Sequence, residues 1–353
     1  MMMLRQQHQA ARGVNHATRH RPLVARAAAP STTTPTTTTT AAAELLSRVS
    51  ALGPVCRDAQ TGETVPDLSA LLRPARDGER VALLALSHFG DLTSTEFAQR
   101  IARRVLPALG PSPQFPPSLA RKLAADTSSS SSSSSSSTPA PPPTRFVIVG
   151  LGTPAAARLF ARETGLQQAL EQAGCPPATL LATEAANDLF RQALGLDPGF
   201  APDTPLSPYA KLLVMLAGLG PDKGATLKEV IRGYVGDKSS DQIFLEGRPE
   251  TTAGIGGLFR VVGQGYQRPF ELATQRLQNM SLVLGKWGEL APQEGSDGLM
   301  LVQQGGAFVF AKGGGAGGGG GGEDLQIVFS HRDAGILLYA DTDALTLALM
   351  GRR

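Results

Sequence analysis

Apolar segments of strand length recur along the middle of the chain, and segments of helical period separate them. Arg80–Leu86, Phe146–Gly150 and Thr179–Thr183 are nearly continuous apolar runs bounded by turn-forming residues. This pattern is typical of strands that are buried on both faces. Helical spacing of apolar residues follows the first two runs, from Thr93 onward and from Pro154. The alternation of strand and helix predicts an α/β fold with parallel strands.

The helices have start and stop signals in the sequence. Thr93 and Glu96 have the spacing of a capping box, in which both side chains satisfy backbone amides at the start of a helix. We therefore predict that the first crossover helix starts at Thr93. The second is predicted from Pro154 to about Thr164, and a third from Glu184 to Leu194, ending at Gly195.

The C-terminal part predicts a hairpin and a helical insertion. The apolar runs Ala307–Phe310 and Leu325–Phe329 flank the glycine-rich segment 313–322. They predict an enlarged β-hairpin, because a longer flexible connection adds little to the cost of closing a loop. Residues 197–303 are predicted to form a helical insertion. Its clearest helix begins at Pro269 and carries a stripe that we expect to face the core: Ala273, Leu277, Met280, Leu284 and Trp287.

Three segments are too biased in composition to bury a core. They are residues 1–43, a serine- and proline-rich stretch within 111–144, and the glycine run 313–322. The chain has 353 residues, so the remainder is sufficient for one sizeable unit. We predict a disordered leader over 1–43 and a single domain over 44–353, with the other two segments as loops.

Residues 1–43 read as a transit peptide. They lack acidic residues, contain five arginines, and end in a threonine tract without a continuous apolar region. We expect the mature protein to start between Arg26 and Ala43. The abundance of hydroxylated residues favours the chloroplast stroma, with the mitochondrion as the alternative. An ordinary disordered tail is the other interpretation.

Charge argues against a nucleic-acid partner. The formal net charge is +3, but removing the five leader arginines from the 33 Lys and Arg residues leaves 28 against 30 acidic residues. A nearly neutral body does not predict the concentrated basic face that phosphate binding needs. The longest apolar stretch, residues 212–220, is far shorter than the ~20 residues that span a bilayer. We therefore expect a protein that is not transmembrane.

A glycine motif after the second strand has the form of a nucleotide-binding turn. Gly150 and Gly152 follow a strand and open a helix, as in the dinucleotide fingerprint. However, Pro154 lacks an amide that a phosphate would use, and the next acidic residue, Glu184, lies well beyond the usual ~20 residues. We therefore predict a tight turn without a nucleotide, and no cofactor.

Cysteine and histidine residues do not form a metal-binding pattern. The two cysteines, Cys56 and Cys175, are far apart in the sequence, and only His88 and His331 remain outside the leader. Zinc and iron–sulfur sites need closely spaced ligands, so we expect no metal site. Both cysteines are interpreted as small buried or incidental residues, with a redox role as the alternative.

Two arginines beside a glycine-rich turn suggest an anion site. Arg268 and Arg276 lie near residues 263–266 (GQGY) and could form a basic pocket. We favour the alternative, in which Arg268 solvates a loop and Arg276 solvates a helix face.

The segment Leu86–Glu96 (LSHFGDLTSTE), together with the order of elements, resembles the peroxiredoxin-like proteins of the alkyl hydroperoxide reductase/thiol-specific antioxidant class. Residues 231–237 (IRGYVGD), 267–274 (QRPFELAT) and 330–337 (SHRDAGIL) are similar to the cyanobacterial and plastid branch of that group. The resemblance extends from about Leu52 to Leu338. It implies a thioredoxin-like α/β fold with a mixed central sheet.

The departure from this family lies at its redox site. In redox-active members, a similar His-Phe-Gly is followed by a Cys-x-x-Cys pair at the start of a helix, where amides and the helix dipole lower the thiol pKa. Asp91 and Ser94 stand at those two positions. A serine hydroxyl cannot replace a thiolate without an adjacent base, and His88, the nearby candidate, is expected to be structural. The resemblance therefore implies the fold without its usual chemistry.

Three functions follow, in order of preference. The first is a plastid thioredoxin-like protein without active-site thiols, acting as a binding or assembly module for an unknown protein partner. The second is a thiol antioxidant that reduces peroxide or exchanges disulfides through Cys56 or Cys175. The third is a nucleotide-dependent enzyme that uses the turn at Gly150.

Overall fold

A computed structural model describes residues 39–129, 142–173, 178–220, 222–235, 264–292, 298–312 and 325–352. All of them belong to one unit that spans Pro35–Arg353. None of the helices within the described ranges is long and apolar enough to cross a membrane.

A seven-stranded mixed sheet lies at the centre of this unit. Its strands are β1 Cys56–Asp58, β2 Thr64–Val65, β3 Arg80–His88, β4 Thr144–Leu151, β5 Thr179–Thr183, β6 Gly306–Lys312 and β7 Leu325–Arg332. Their spatial order is β2-β1-β5-β4-β3-β6-β7. Strands β3, β4 and β5 are parallel, β6 is antiparallel to β3, and β7 is antiparallel to β6. The carboxyl ends of β3, β4, β5 and β7 therefore lie along the same edge of the sheet.

Helices surround this sheet. They are α1 Thr39–Ala51, α2 Leu68–Leu72, α3 Leu92–Arg100, α4 Leu106–Leu109, α5 Pro117–Ser129, α6 Pro154–Glu163, α7 Leu166–Gln172, α8 Pro208–Leu216, α9 Ala225–Val235, α10 Gln264–Gly285, α11 Trp287–Leu290 and α12 Thr342–Leu349. The described residues also form two π-helical segments, Ile101–Val105 and Ala186–Ala193, and a 3₁₀ turn, Gly298–Leu301.

Apolar cores fill both faces of the sheet because β3 is apolar on both sides. Leu84 belongs to the cluster that contains Phe97 of α3 and Phe160 of α6. Its neighbour Leu83 belongs to the opposite cluster, which contains Leu46 of α1. Successive strand residues point to opposite faces, so an uninterrupted apolar strand requires helices on both sides. The predicted mixture of parallel strands, crossover helices and a C-terminal hairpin is confirmed.

The biased segments contain more helix than their composition suggests. Helix α5 occupies the first part of the region 111–144, which was predicted to be a loop, and Leu119 is fully buried there. Helix α1 begins within the threonine tract, and Ala42 is fully buried against the core. The serines beyond Ser129 and the glycines 313–322 lie outside the described residues.

The capping-box prediction at the start of α3 is wrong. Asp91 is the N-cap residue, and its carboxylate accepts a hydrogen bond from the Ser94 amide at 3.1 Å. The Thr93 hydroxyl instead accepts from the amide of Leu337, and Glu96 binds arginine side chains. Both side chains thus bind residues that are distant in sequence, Leu337 and Arg276, instead of the backbone amides at the start of α3.

The predicted core-facing stripe of α10 is also wrong. Leu277, Met280 and Leu284 are 56%, 41% and 65% exposed. Arg276 and Asn279 are almost completely buried instead, because α10 packs its polar side against α3. Apolar period alone did not reveal which side of this helix meets the protein.

Candidate functional site

The site assigned by sequence lies where the carboxyl edge of the sheet meets the start of α3. Ser87 and His88 end β3, and Asp91 caps α3. Asp333 directly follows β7, which runs parallel to β3. The topology therefore brings the end of β7 near Asp91 and Ser94, the two positions that the resemblance aligns with the family's cysteines.

Asp91 and Ser94 form a closed hydrogen-bonded cluster with Ser87. The Ser87 hydroxyl donates to the Asp91 carboxylate at 2.5 Å, and the Ser94 hydroxyl lies 2.8 Å from the Ser87 oxygen. The amide of Ser94 donates to the same carboxylate oxygen of Asp91. Ser87 and Ser94 are 5% and 2% exposed. The arrangement caps the helix and leaves both hydroxyls engaged with their neighbours.

Two neighbouring segments cover this helix start. Gly90 lies against the end of α11, where a β-carbon added to it would be 3.1 Å from the amide nitrogen of Ala291. On another side, Leu337 donates its amide to Thr93 at 3.1 Å and adopts a left-handed φ of 63°. A left-handed conformation is costly for a branched residue and persists only where surrounding contacts hold it. Both contacts cover part of the helix start, at which Asp91 is half-buried.

His88 lies beside this cluster but makes no hydrogen bond to its serines among the described residues. The residue is 4% exposed and its ring packs edge-on against Trp287, with centroids 6.2 Å apart. Burial lowers the pKa of His88, although the charge of Asp91 opposes the change. The imidazole is therefore neutral at pH 7. Neither serine is hydrogen-bonded to it, so this geometry does not form a nucleophile–base pair.

His331 and Asp333 form a side-chain pair at the C-terminal end of β7. The His331 Nε2 atom lies 3.3 Å from an Asp333 oxygen and 2.9 Å from the carbonyl oxygen of Leu338. Burial lowers the pKa of His331, but the hydrogen bond and charge of Asp333 outweigh it and the net pKa is raised. For the carboxyl group of Asp333, burial raises the pKa, and the nearby negative charge of Asp91 raises it further. Sequence analysis did not assign this pair.

The sequence analysis also did not predict a buried ionic network that is centred on Glu96 of α3. Glu96 is fully buried and bonds to Arg276 at 2.8 Å, to Arg100 at 3.0 Å and to the hydroxyl of Tyr339 at 2.5 Å. Burial raises the pKa of Glu96, but Arg100 and Arg276 outweigh it and the net pKa is lowered. Arg276 also bonds to Glu229 of α9 at 3.1 Å.

The expected solvent-facing role of Arg276 is therefore wrong. It is 1% exposed and holds α9 and α10 to α3 through Glu229 and Glu96. The side chain of Arg268 lies outside the described residues.

Cys56 lies in a buried position that disfavours its thiolate form. It pairs with Thr183 across β1 and β5 and is 1% exposed. Burial raises its pKa to about 12, although a hydrogen bond with Thr183 opposes the shift. The thiolate, which is the nucleophilic form, is therefore scarce at pH 7. Cys175 lies outside the described residues.

The glycines of the suspected nucleotide turn make room for an aromatic ring. A β-carbon on Gly150 would collide with the side chain of Phe89, and one on Gly152 would lie 3.0 Å from the same ring. The Thr153 hydroxyl accepts from the amide of Ala156, and the Gly152 amide donates to a backbone oxygen. The turn is thus explained by packing and by capping of α6.

Comparisons with known proteins identify no relative of this chain. No family model, no curated protein and no solved structure matches the chain. Within the described ranges, the His, Cys, Asp and Glu side chains form no group of three or more that could hold a metal ion.

Proposed function

We propose that this chain is a thioredoxin-like, peroxiredoxin-like plastid protein without active-site thiols that acts as a non-catalytic binding or assembly module. The observation that carries the proposal is the cluster of Asp91, Ser94 and Ser87 at the helix start where redox-active relatives have cysteines. Each of these side chains is hydrogen-bonded within the cluster.

The order of elements supports the thioredoxin-like part of the proposal. A parallel unit of β3, α3 and β4 is followed by the antiparallel pair β6 and β7 and by the closing helix α12. Strand β3 lies between β4 and β6 in the sheet. A thioredoxin-like fold needs this mixed sheet and places its reactive helix start after the central strand, which here is the position of Asp91.

The side chains at the two positions support the non-catalytic part. A thiol enzyme needs a thiolate that a substrate can reach, whereas the half-buried position 91 carries a carboxylate and Ser94 is buried. Cys56 has a raised pKa and is buried, which disfavours the antioxidant alternative. The packing of Phe89 against Gly150 similarly disfavours the nucleotide alternative.

The proposed plastid location depends on the composition of residues 1–43. Its test is a fusion of these residues to a fluorescent protein, expressed in a plant or algal cell. We expect accumulation in the chloroplast stroma. Accumulation in mitochondria selects the other organelle, and a cytosolic signal contradicts a transit peptide.

Peroxide chemistry separates the binding module from the thiol antioxidant. Peroxide loss is measured with the purified chain, hydrogen peroxide and a dithiol reductant, and sulfenic acid is trapped in a separate incubation with peroxide and no dithiol. We expect peroxide loss equal to that in the same mixture without protein, and no adduct on either cysteine. Cys56→Ser and Cys175→Ser are the matched variants. Peroxide consumption that disappears in one of them would establish the antioxidant function instead.

A further inference from the structure

A cleft lies between the π-helical segment Ile101–Val105, helix α4 and the consecutive helices α6 and α7. Its volume is about 520 Å³, and Leu106 and Ala169 form apolar parts of its wall. Neither Asp91 nor Ser94 lines it. The cleft is therefore separate from the site at the start of α3.

Pro107 accounts for the shape of the helix beside this cleft. A proline has no amide to donate to the carbonyl oxygen four residues earlier, here that of Arg103, and its ring crowds that oxygen. The amide of Leu106 bonds to Ile101, five residues earlier, so the helix widens into a π-helical turn. Such turns occur frequently at functional sites. This one carries Ala102 and Arg103, both of which line the cleft.

The charged groups of the cleft favour an anion. Arg103 and Arg162 line it, together with one acidic residue among those described, Glu163. Glu163 is already neutralised, because Lys286 lies 3.2 Å and Arg162 3.5 Å from its carboxylate. The side chain of Arg162 is 68% exposed, so this ion pair contributes little. Its guanidinium is therefore available for a more strongly charged partner, and the planar group matches phosphate bidentately.

The chain itself brings a serine to this cleft. Ser112 is exposed in the loop between α4 and α5, and it lines the same cleft. Pro111 and Pro113 flank it, which restricts this part of the loop to extended conformations. An exposed serine directly before a proline is the acceptor that proline-directed protein kinases use.

The dimensions of the cleft allow a phosphate on Ser112 to approach the arginines. At one end, a β-carbon on Gly110 would lie 3.9 Å from the α-carbon of Ala173, the residue that follows α7. At the other end, Arg162 lies just before α7 begins at Leu166. The seven residues of α7 extend ~10 Å. This separation is comparable with the combined length of an arginine and a phosphoserine side chain.

We propose that Ser112 is a phosphorylation site and that its phosphate binds Arg103 and Arg162 within the cleft. A proline-directed kinase transfers the γ-phosphoryl group of ATP to the serine oxygen. The bond between the γ-phosphorus and its bridging oxygen breaks, a phosphorus–oxygen bond to Ser112 forms, the hydroxyl proton passes to the kinase, and ADP leaves. The new group has a charge of about −1.5 to −2 and three acceptor oxygens. It links the α4–α5 loop to the end of α6, while Lys286 continues to neutralise Glu163.

Phosphorus NMR of the full chain, expressed with phosphoserine encoded at position 112, tests the binding of the phosphate. The second pKa of a free phosphoserine is ~6, and nearby arginines favour the dianion, so we expect a pKa of about 5 that returns to ~6 in concentrated urea. Arg103→Gln and Arg162→Gln should each reverse part of the change. Arg191→Gln is the matched control, because Arg191 also forms a surface ion pair, with Asp203 at 3.5 Å.

A second serine provides a control for the phosphate itself. Ser207 also directly precedes a proline and is exposed, but it does not line this cleft. The pKa of a phosphate encoded at position 207 should therefore not respond to Arg162→Gln. Mass spectrometry after incubation with a proline-directed kinase and magnesium ATP tests the modification, with Ser112→Ala as the control. We expect phosphate on Ser112.

Each part of the proposal can fail separately. A Ser112 that the kinase leaves unmodified excludes the phosphorylation site. A phosphate at position 112 whose pKa responds neither to urea nor to Arg162→Gln shows that the cleft does not bind it. Because Arg162 is exposed, this variant keeps the fold, and the test does not depend on Arg103→Gln. Saturable binding of phenyl phosphate by the unmodified chain, lost in Arg162→Gln, together with an unmodified Ser112, would instead assign the cleft to a free phosphate ester.

Discussion

Glu96 shows how one side chain joins parts of the chain that are far apart in sequence. Its carboxylate is shared by Arg100 of its own helix, by Arg276 of α10 and by Tyr339 near α12. A buried ion pair adds little net stability over apolar packing, but removing one partner leaves a buried charge without compensation. The principal effect of this network is therefore to fix where the insertion sits on α3.

Replacement of this carboxylate is the first prediction. Glu96→Gln keeps the shape but leaves Arg276 and Arg100 without their shared countercharge, so we expect a loss of about 3 kcal/mol of unfolding free energy. Urea denaturation measures it. Glu44→Gln is the matched control, because its pair with Arg48 is exposed and should contribute less than about 1 kcal/mol. Equal midpoints for the two variants would show that the network is not stabilising.

His331 predicts a pH dependence with a definite sign. Its folded-state pKa is raised by Asp333 despite burial, so the folded state binds the proton more tightly than the unfolded state does. The stabilisation is complete below the ordinary histidine pKa of ~6.5 and is lost as pH rises through the raised value. Unfolding free energies from pH 5 to 9 should therefore show a His331→Gln deficit that shrinks as pH rises. A deficit that is constant with pH would contradict this assignment.

The start of α3 is arranged to stabilise a negative charge. Asp91 accepts from the Ser94 amide, and free amides with the helix dipole favour a negative charge at this place. The amides and helix dipole that stabilise the Asp91 carboxylate would also lower the pKa of a thiol at this position. Asp91 thus caps α3 with a carboxylate at a place where the same amides would also favour a thiolate.

Installing cysteines at these two positions tests that interpretation. Asp91→Cys with Ser94→Cys should give a thiol at position 91 with a pKa below the ~8.5 of free cysteine, and the pair should oxidise to a disulfide. The pH dependence of alkylation measures the pKa, and Ser94→Cys alone is the control because it retains the Asp91 cap. The double variant should lose about 1 kcal/mol with the cap. Thiols that stay unreactive would show that this segment does not correspond to the family's redox pair.

The elements that sequence patterns predicted well are those in which period and burial agree. β5 has the predicted bounds, and α6 starts at Pro154 as predicted. The predicted helix Glu184–Leu194 is found as the π-helix Ala186–Ala193, and Gly195 ends it with a φ of 65°. Local signals determine such features, because turn and cap residues act within a few positions.

The errors at Thr93, Arg276 and the α10 stripe share one physical cause, which is contact between residues that are distant in sequence. Thr93 looked like a helix cap and Arg276 looked like a surface residue, but both have buried partners more than a hundred residues away. Similarly, the apolar stripe of α10 faces outward because the opposite side carries the ionic partner of Glu96. A single sequence contains no local signal that pairs a glutamate in one helix with an arginine in another.

The central sheet unites segments that the low-complexity runs separate in sequence. The serine run divides β3 from β4, and the glycine run divides β6 from β7. Both divided pairs are neighbours in the sheet, with ladders that extend over Arg80–His88 and Gly306–Lys312. Cohesion of the fold therefore does not depend on the continuity of either connection.

Limited proteolysis tests this prediction directly. Polyserine and polyglycine cannot form a packed apolar core, so a protease of broad specificity should cut first within residues 130–137 and 313–322. The three fragments should stay together under native conditions, because β3, the block from β4 to β6, and β7 would each come from a different fragment yet lie in one sheet. Size-exclusion chromatography should therefore show an undiminished native mass, and denaturing electrophoresis should show separate fragments. A first cut between Gly195 and Ser207 would instead show that the helical insertion is a separate domain, because the hydrogen bonds and ion pairs of Arg276 and Asn279 would then be too weak to hold it on α3.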